Sequence, residues 1–100
     1  MALNITGNIQ ISGGITISSA YARLTADINQ DGDRLRTMVN YYVSKDAYTN
    51  GSGEIYLLDS ILPVYDYNRQ ADGADLLDVA HNKVKAELEA LGYSVVIEEL

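Results

Sequence analysis

From Gly73 to Leu100 the apolar residues change their period, and that change limits the possible fold more than any other feature of the chain. At about 100° per residue, Leu77, Ala80, Val84, Leu88 and Leu91 fall on one arc of about 80°, with Asp75, Asp78, Asn82, Lys85 and Glu89 opposite, which is the pattern of a helix with one buried face. Asp72-Gly73 is a suitable entry, Asp75 and Asp78 sit near the positive end of the helix, and Gly92 closes it. Tyr93 to Leu100 then reads as a short strand. One glycine between helix and strand permits only an abrupt reversal, so the two must pack antiparallel. Lys83 and Glu87, four residues apart beside the stripe, are placed to pair with each other.

Upstream the period is two. Ile5, Ile9 and Ile11 alternate with polar residues between Asn4 and Ser12, Gly13-Gly14 interrupts, and Ile15 and Ile17 resume, which predicts a hairpin. Between Tyr21 and Ile28, Ala22, Leu24, Ala26 and Ile28 share one face and Tyr21, Arg23, Thr25 and Asp27 the other. After Asn29-Gln30-Asp31-Gly32 the alternation returns, with Leu35, Thr37, Val39, Tyr41 and Val43 opposed to Arg34, Arg36, Met38, Asn40 and Tyr42. Asn50-Gly51-Ser52-Gly53 predicts a turn, Glu54 to Asp59 a further strand ended or bent by Pro63, and Tyr65 to Arg69 an irregular loop. The expected fold is therefore α+β: a small antiparallel sheet, one C-terminal amphipathic helix packed on it, and a final strand. No repeat and no long linker divides residues 1–100, so a single domain is expected.

A chain of this length can bury roughly 60–70 % of its unfolded surface in one core. Its hydrophobic fraction of 47 %, regularly spaced, is that of a folded domain. Fourteen acids against seven bases give a net charge of −7, a field that repels phosphate backbones, so nucleic acid is not an expected partner. There is no cysteine, hence no disulfide, thiolate metal site or thiol nucleophile. The opening MALNITGNIQ has neither a basic segment nor an apolar run of signal length, and no apolar stretch is long enough for a membrane span. Synthesis and first folding in cytoplasm, without a membrane partner, are the expectation.

The sharpest candidate site is Asp27-Ile28-Asn29-Gln30-Asp31-Gly32-Asp33, which matches the first half of a calcium loop. Asp27, Asn29, Asp31 and Asp33 are its possible donors. Where the bidentate glutamate belongs stands Met38, and the flanks alternate as strands, so a hairpin turn is the better reading and calcium binding the alternative. His81, at the rim of the helix stripe between Asp78 and Lys85, lacks a nucleophile or second histidine to serve. The acid pairs Glu98-Glu99 and Asp72 with Asp75 read as a solvated face. Gly13-Gly14 is followed by Ile-Thr-Ile, without the lysine and helix start of a phosphate cradle. No cofactor, small-molecule substrate or enzymatic activity is expected.

Tyrosine is the unusual residue, eight of them in a chain without Phe or Trp. Tyr41, Tyr56 and Tyr93 are expected in the core. Tyr65 and Tyr67, followed by Arg69, are expected at an interface, because Tyr and Arg bury area while keeping a polar handle. Arg23, Arg34, Arg36 and Tyr42, on the polar strand faces, are the other expected contacts.

The N-terminal strand, the stretch Val39-Asn40-Tyr41-Tyr42-Val43-Ser44-Lys45, the Tyr65-Asp66-Tyr67-Asn68 loop and the closing helix and strand together resemble small virion proteins of tailed bacteriophages, those of crAss-like phages included. The resemblance covers nearly the whole chain as an arrangement of elements, and carries no family site onto particular residues. It implies a non-enzymatic virion structural protein: an auxiliary or decoration protein of the head, made in the bacterial host cytoplasm, that binds repeated copies of a larger shell protein. A tail or neck subunit is the alternative within that class. A calcium-dependent binding module, using Asp27 to Asp33, is the alternative outside it.

Overall fold

The structure is a computed structural model and describes residues 1–51, 53–58 and 64–99. Among them, β1 (Ala2–Ile11), β2 (Ile15–Ile28), β3 (Arg34–Tyr42), β4 (Val64–Asp66) and β5 (Ser94–Glu98) form one antiparallel sheet in the order β4-β3-β2-β1-β5. The helices are α1 (Lys45–Thr49), α2 (Arg69–Asp72) and α3 (Leu76–Ala90). The architecture is α+β, with the C-terminal helix packed on the sheet and a final strand after it, as the periodicities predict.

The β2–β3 register explains why the sheet has one dry face. Ala22, Leu24, Ala26 and Ile28 stand opposite Tyr41, Val39, Thr37 and Leu35, so two apolar strand faces become one cross-strand layer. Leu3 and Ile5 of β1 and Val95 of β5 extend that layer, and Ala80, Val84 and Leu88 of α3 lie on it. Each fully buried Leu, Ile or Val there stabilises the fold by about 1.5–3 kcal/mol relative to exposure.

The first hairpin carries a bulge. Thr6 pairs with Ser19 and Ile9 with Ile17, so Gly7 and Asn8 together oppose the single Ser18. Across the bulge β1 keeps its odd-numbered residues inward while β2 changes from Ala20 and Ala22 to Ile17, so Ile9, Ile11 and Ile17 join the same core. Gly7 is required there. Its φ is +141°, and a Cβ would stand 3.2 Å from the Tyr93 ring.

α3 closes at Gly92 as expected, but Asp72-Gly73 is the end of α2 and not the entry of α3, and Asp75 is the N-cap of α3. The Asp75 carboxylate accepts from the backbone N–H groups of Leu77 and Asp78, each at 3.2 Å, an N-cap worth about 1 kcal/mol. At the other end Gly92, with φ +101°, donates to Glu89 O while Tyr93 donates to Leu88 O, a Schellman closure that reverses the chain into β5.

The buried face of α3 is not quite the expected stripe. Leu77 and Leu91, at the two ends of the helix, are 43 % and 44 % exposed, whereas Val79 and His81 are buried with Ala80, Val84 and Leu88. A helical wheel assumes one opposing surface. Here the chain also returns past the first turn through Gly73, whose Cβ position is 3.7 Å from Val79 Cγ2. Lys83 and Glu87 do not pair as expected: Lys83 reaches Asp72 at 3.6 Å and Glu87 accepts from the Tyr65 hydroxyl. The segment from Tyr65 to Asp72 competes successfully for both.

Further differences follow from the same segment and its predecessor. Val64–Asp66 is a short edge strand against Arg34–Arg36, not an irregular loop. Glu54 to Leu58 is not a regular strand. It bridges two distant strands, Ile55 donating to Tyr41 O at 2.8 Å and Leu58 to Gln10 O at 2.9 Å. Tyr56 is exposed there, against expectation, because that bridge is held by backbone groups; Tyr93 is buried and Tyr41 half-buried. Ser52, Asp59, Pro63 and Leu100, which figure in the predicted turn, strands and bend, lie outside the described residues.

Candidate functional site: the uncovered sheet face

With α3 on one face of the sheet, strand alternation decides what the other face presents. Tyr21 pairs with Tyr42, Arg23 with Asn40, Thr25 with Met38 and Asp27 with Arg36. An antiparallel sheet tolerates such a wet face because only one side needs to be apolar.

One end of this face is partly covered by α1. Ser44 starts that helix by accepting from Ala47 N at 3.1 Å, and Ala47 is buried against the sheet. Tyr48 then lies across Tyr42 and Tyr21, with ring centroids 5.0 Å and 5.8 Å away. The Arg23 guanidinium sits over the same Tyr48 ring, 5.1 Å from its centroid. A hydrogen bond to Tyr21 is the main reason its pKa is raised above the ordinary arginine value, with Tyr48 and Glu98 adding to it. Glu98, on the same face of β5, holds Lys45 at 3.0 Å, and that carboxylate raises the lysine pKa. A charged guanidinium is thereby fixed on an aromatic platform.

The other end is ordered by ion pairs. Arg36 grips Asp27 with two hydrogen bonds, of 3.1 Å and 2.8 Å, which lower the carboxyl pKa and raise that of the guanidinium. Arg34 reaches Asp66 of β4 at 2.8 Å. Between the two ends Met38 is 68 % exposed. Two shallow depressions of about 440 and about 320 Å³ flank it and share Thr25 and Met38 in their walls; Asp27 and Arg36 line the first, Arg23, Tyr42 and Tyr48 the second.

Arg23, Arg34, Arg36 and Tyr42 are therefore brought together on one surface. Tyr65, Tyr67 and Arg69 do not join them. Tyr67 is only 7 % exposed and donates its hydroxyl to the carbonyl of Gly73, bracing the turn into α3 from within the core. Tyr65 stands opposite core Leu35, half-buried, and donates to Glu87 Oε2 at 2.5 Å. Burial first, and then Glu87, push its pKa well up; burial and Glu87 do the same to Tyr41, raising it to about 12. The tyrosine loop is thus a structural brace, because aromatic area near a helix start was better buried than offered. Arg69 is exposed on α2.

The calcium-like loop is the β2–β3 turn. Asp27 is turned to Arg36, and Asn29 Oδ1 accepts from the backbone N–H groups of Asp33 and Arg34 at 3.0 Å. Asn29 Nδ2 also donates to Asp33 Oδ1 at 2.7 Å, so these donors serve the turn itself. Asp31 is exposed beside Gly32. Among the described residues no three His, Asp or Glu side chains gather as a metal cluster. The acid pairs have separate duties too: Asp72 accepts from Asn68 N and meets Lys83, Asp75 caps α3, and Glu98 holds Lys45. His81 is not at a rim. It is fully buried, with Nδ1 2.6 Å from Leu77 O.

Compared with protein-family models, curated proteins and solved structures, the chain matches none. The site has to be interpreted from its own chemistry. Arginine over tyrosine, an exposed methionine and two broad shallow hollows suit contact with another macromolecular surface better than enclosure of a small ligand. Among the described residues no helix is long and apolar enough to cross a membrane. Tyr48, the centre of the aromatic platform, was not among the residues expected at the site. Its signal was present as Ser44 followed by Asp46, a capping residue with an acid in the first turn.

Proposed function

We propose that this domain is a non-enzymatic virion structural protein of a tailed bacteriophage. It is an auxiliary or decoration subunit of the head, which seats its uncovered sheet face on repeated copies of a larger shell protein. The observation that carries the binding role is the fixed Arg23–Tyr48–Tyr42 group beside exposed Met38. Tyrosine and arginine concentrate binding energy at protein interfaces, and here they are held in place before a partner arrives. The virion assignment rests on the arrangement of strands, closing helix and final strand that resembles small phage head and tail proteins. The acidic surface favours a position outside the packaged genome. In this reading the protein is made in the host cytoplasm and joins the particle as one of many copies.

The test is co-sedimentation of purified protein with intact particles. Wild type should remain with the heads, and Arg23→Glu and Met38→Asp should each lower retention by about 5- to 30-fold, the loss of one or two kcal/mol at an interface. Circular dichroism confirms that each variant is folded. Recovery of the protein only free of the particles, or retention of both variants equal to that of wild type, would refute the proposal. Retention on isolated tails alone would move the subunit to tail or neck.

A further inference from the structure

The two edges of the sheet are guarded unequally. β4 is three residues long, and its Asp66 is tied across to Arg34. β5 is five residues long, pairs only with β1 among the described residues, and continues in unbroken register from Ser94 to Glu98. Its sequence, Ser-Val-Val-Ile-Glu, has no proline, lysine, arginine or bulge, the devices by which natural edges avoid further pairing. Val96 is 64 % exposed on the uncovered side, while Val95 is buried and Ile97 packs against the core.

We propose that β5 is a dimerisation edge that pairs antiparallel with β5 of a second copy of this chain, about a two-fold axis at Val96. Symmetry limits the choices. Two identical edges that join antiparallel do so about an axis perpendicular to the sheet, which sets side chains of the same face opposite each other. Centred on Val96, all five residues pair: Val96 meets Val96, Val95 meets Ile97, and Ser94 meets Glu98. Centring on Ile97 would set Glu99 against buried Val95, and centring on Val95 would leave Ile97 and Glu98 beyond the paired strand. The Val96 register extends the apolar layer beneath the two helices without placing like charges opposite. It also brings a Ser94 hydroxyl across from Glu98, whose Oε1 holds Lys45 and whose Oε2 is buried without a hydrogen-bond partner among the described residues. The edge is separate from the arginine face, so its failure leaves the proposed binding role intact.

The chain has no cysteine, which makes a direct test simple. Facing residues of an antiparallel pair have Cα atoms about 4.5–5.5 Å apart, within the span of a disulfide. Under a glutathione redox buffer, Val96→Cys is expected to form a linked dimer at least tenfold faster than Ser94→Cys or Met38→Cys. In sedimentation velocity the wild-type protein should associate as concentration rises, more strongly in high salt because screening weakens repulsion between two bodies of charge −7. Val96→Lys should remain a folded monomer. Equal cross-linking at the three positions, or identical sedimentation of wild type and Val96→Lys at every concentration, would overturn the proposal.

Discussion

Raising the pH from 10 to 12 should cost this domain a large part of its stability, and Tyr41 sets much of the amount. Burial, and after it the charge of Glu87 and the nearness of Tyr93, push the Tyr41 phenol from 10.0 to about 12. A folded value above the unfolded one means that the native state favours the protonated phenol. That contribution is complete below pH 10 and disappears as the pH climbs through about 12. Two units at about 1.4 kcal/mol each make about 3 kcal/mol, against a total of about 5–15 kcal/mol for an ordinary domain. The Tyr65 phenol shifts in the same direction, through burial and then Glu87, and the raised Lys45 loses its charge beside Glu98 in the same alkaline range. Wild type alone therefore reports several groups, and the difference between wild type and Tyr41→Phe isolates one. The assay is urea unfolding followed by circular dichroism at steps between about pH 9 and pH 12. With a slope of about 1–1.5 kcal/mol per molar, the wild-type midpoint should fall about 2 M further than that of Tyr41→Phe. Parallel curves for the two proteins would refute the reasoning.

Other perturbations test particular contacts. His81→Leu removes a ring whose Nε2 is buried and unpartnered among the described residues, and should raise the unfolding free energy by about 1–2 kcal/mol; a loss instead would mean that this nitrogen has a partner in the native protein. Gly7→Ala forces a side chain into positive φ and against Tyr93, and should destabilise by roughly 1–3 kcal/mol. Gly13→Ala, strained but facing open space, should cost less, and equal losses in denaturant midpoint would show that Tyr93 is irrelevant at Gly7. Titration calorimetry with calcium should give no binding heat, since Asp27 and Asn29 serve Arg36 and the turn backbone; submillimolar binding abolished by Asp31→Ala would reinstate the calcium module.

What the sequence revealed and what it hid divide along physical lines. Strands β2 and β3 were legible because each shows one apolar and one polar face over many residues, and their polar faces gave Arg23, Arg34, Arg36 and Tyr42 directly. α3 and β5 were legible through the period change and the closing glycine. Burial of Val79 was not, because it depends on where the Gly73 turn passes, and no periodicity on α3 records a neighbour from another segment. Tyr65 and Tyr67 misled for a related reason. A tyrosine beside a turn looks the same in sequence whether its ring is offered to a partner or braces the next helix, and here the Gly73 carbonyl, six residues from Tyr67, and Glu87, 22 residues from Tyr65, decide the matter. α1 is short enough that its capping serine was its main signal.

The proposed binding face and the proposed dimerisation edge would have a joint consequence that neither has alone. A two-fold axis perpendicular to the sheet turns both uncovered faces to the same side of one continuous ten-stranded sheet, so the dimer presents two Arg23–Tyr48 platforms in the same direction. A shell of repeated subunits can then be gripped at two points, and the second contact forms at the high effective concentration set by the first. This separates edge from face by experiment. Met38→Asp, on the face, should weaken binding both to a single isolated shell subunit and to the assembled particle. Val96→Lys, on the edge, should leave binding to the single subunit unchanged and lower retention on particles by about a hundredfold or more, the usual gain from bivalency. If Val96→Lys weakened both equally, β5 would itself contact the shell and the dimer would be the wrong account of its open edge. Equal retention of wild type and Val96→Lys on particles would mean that each copy binds alone.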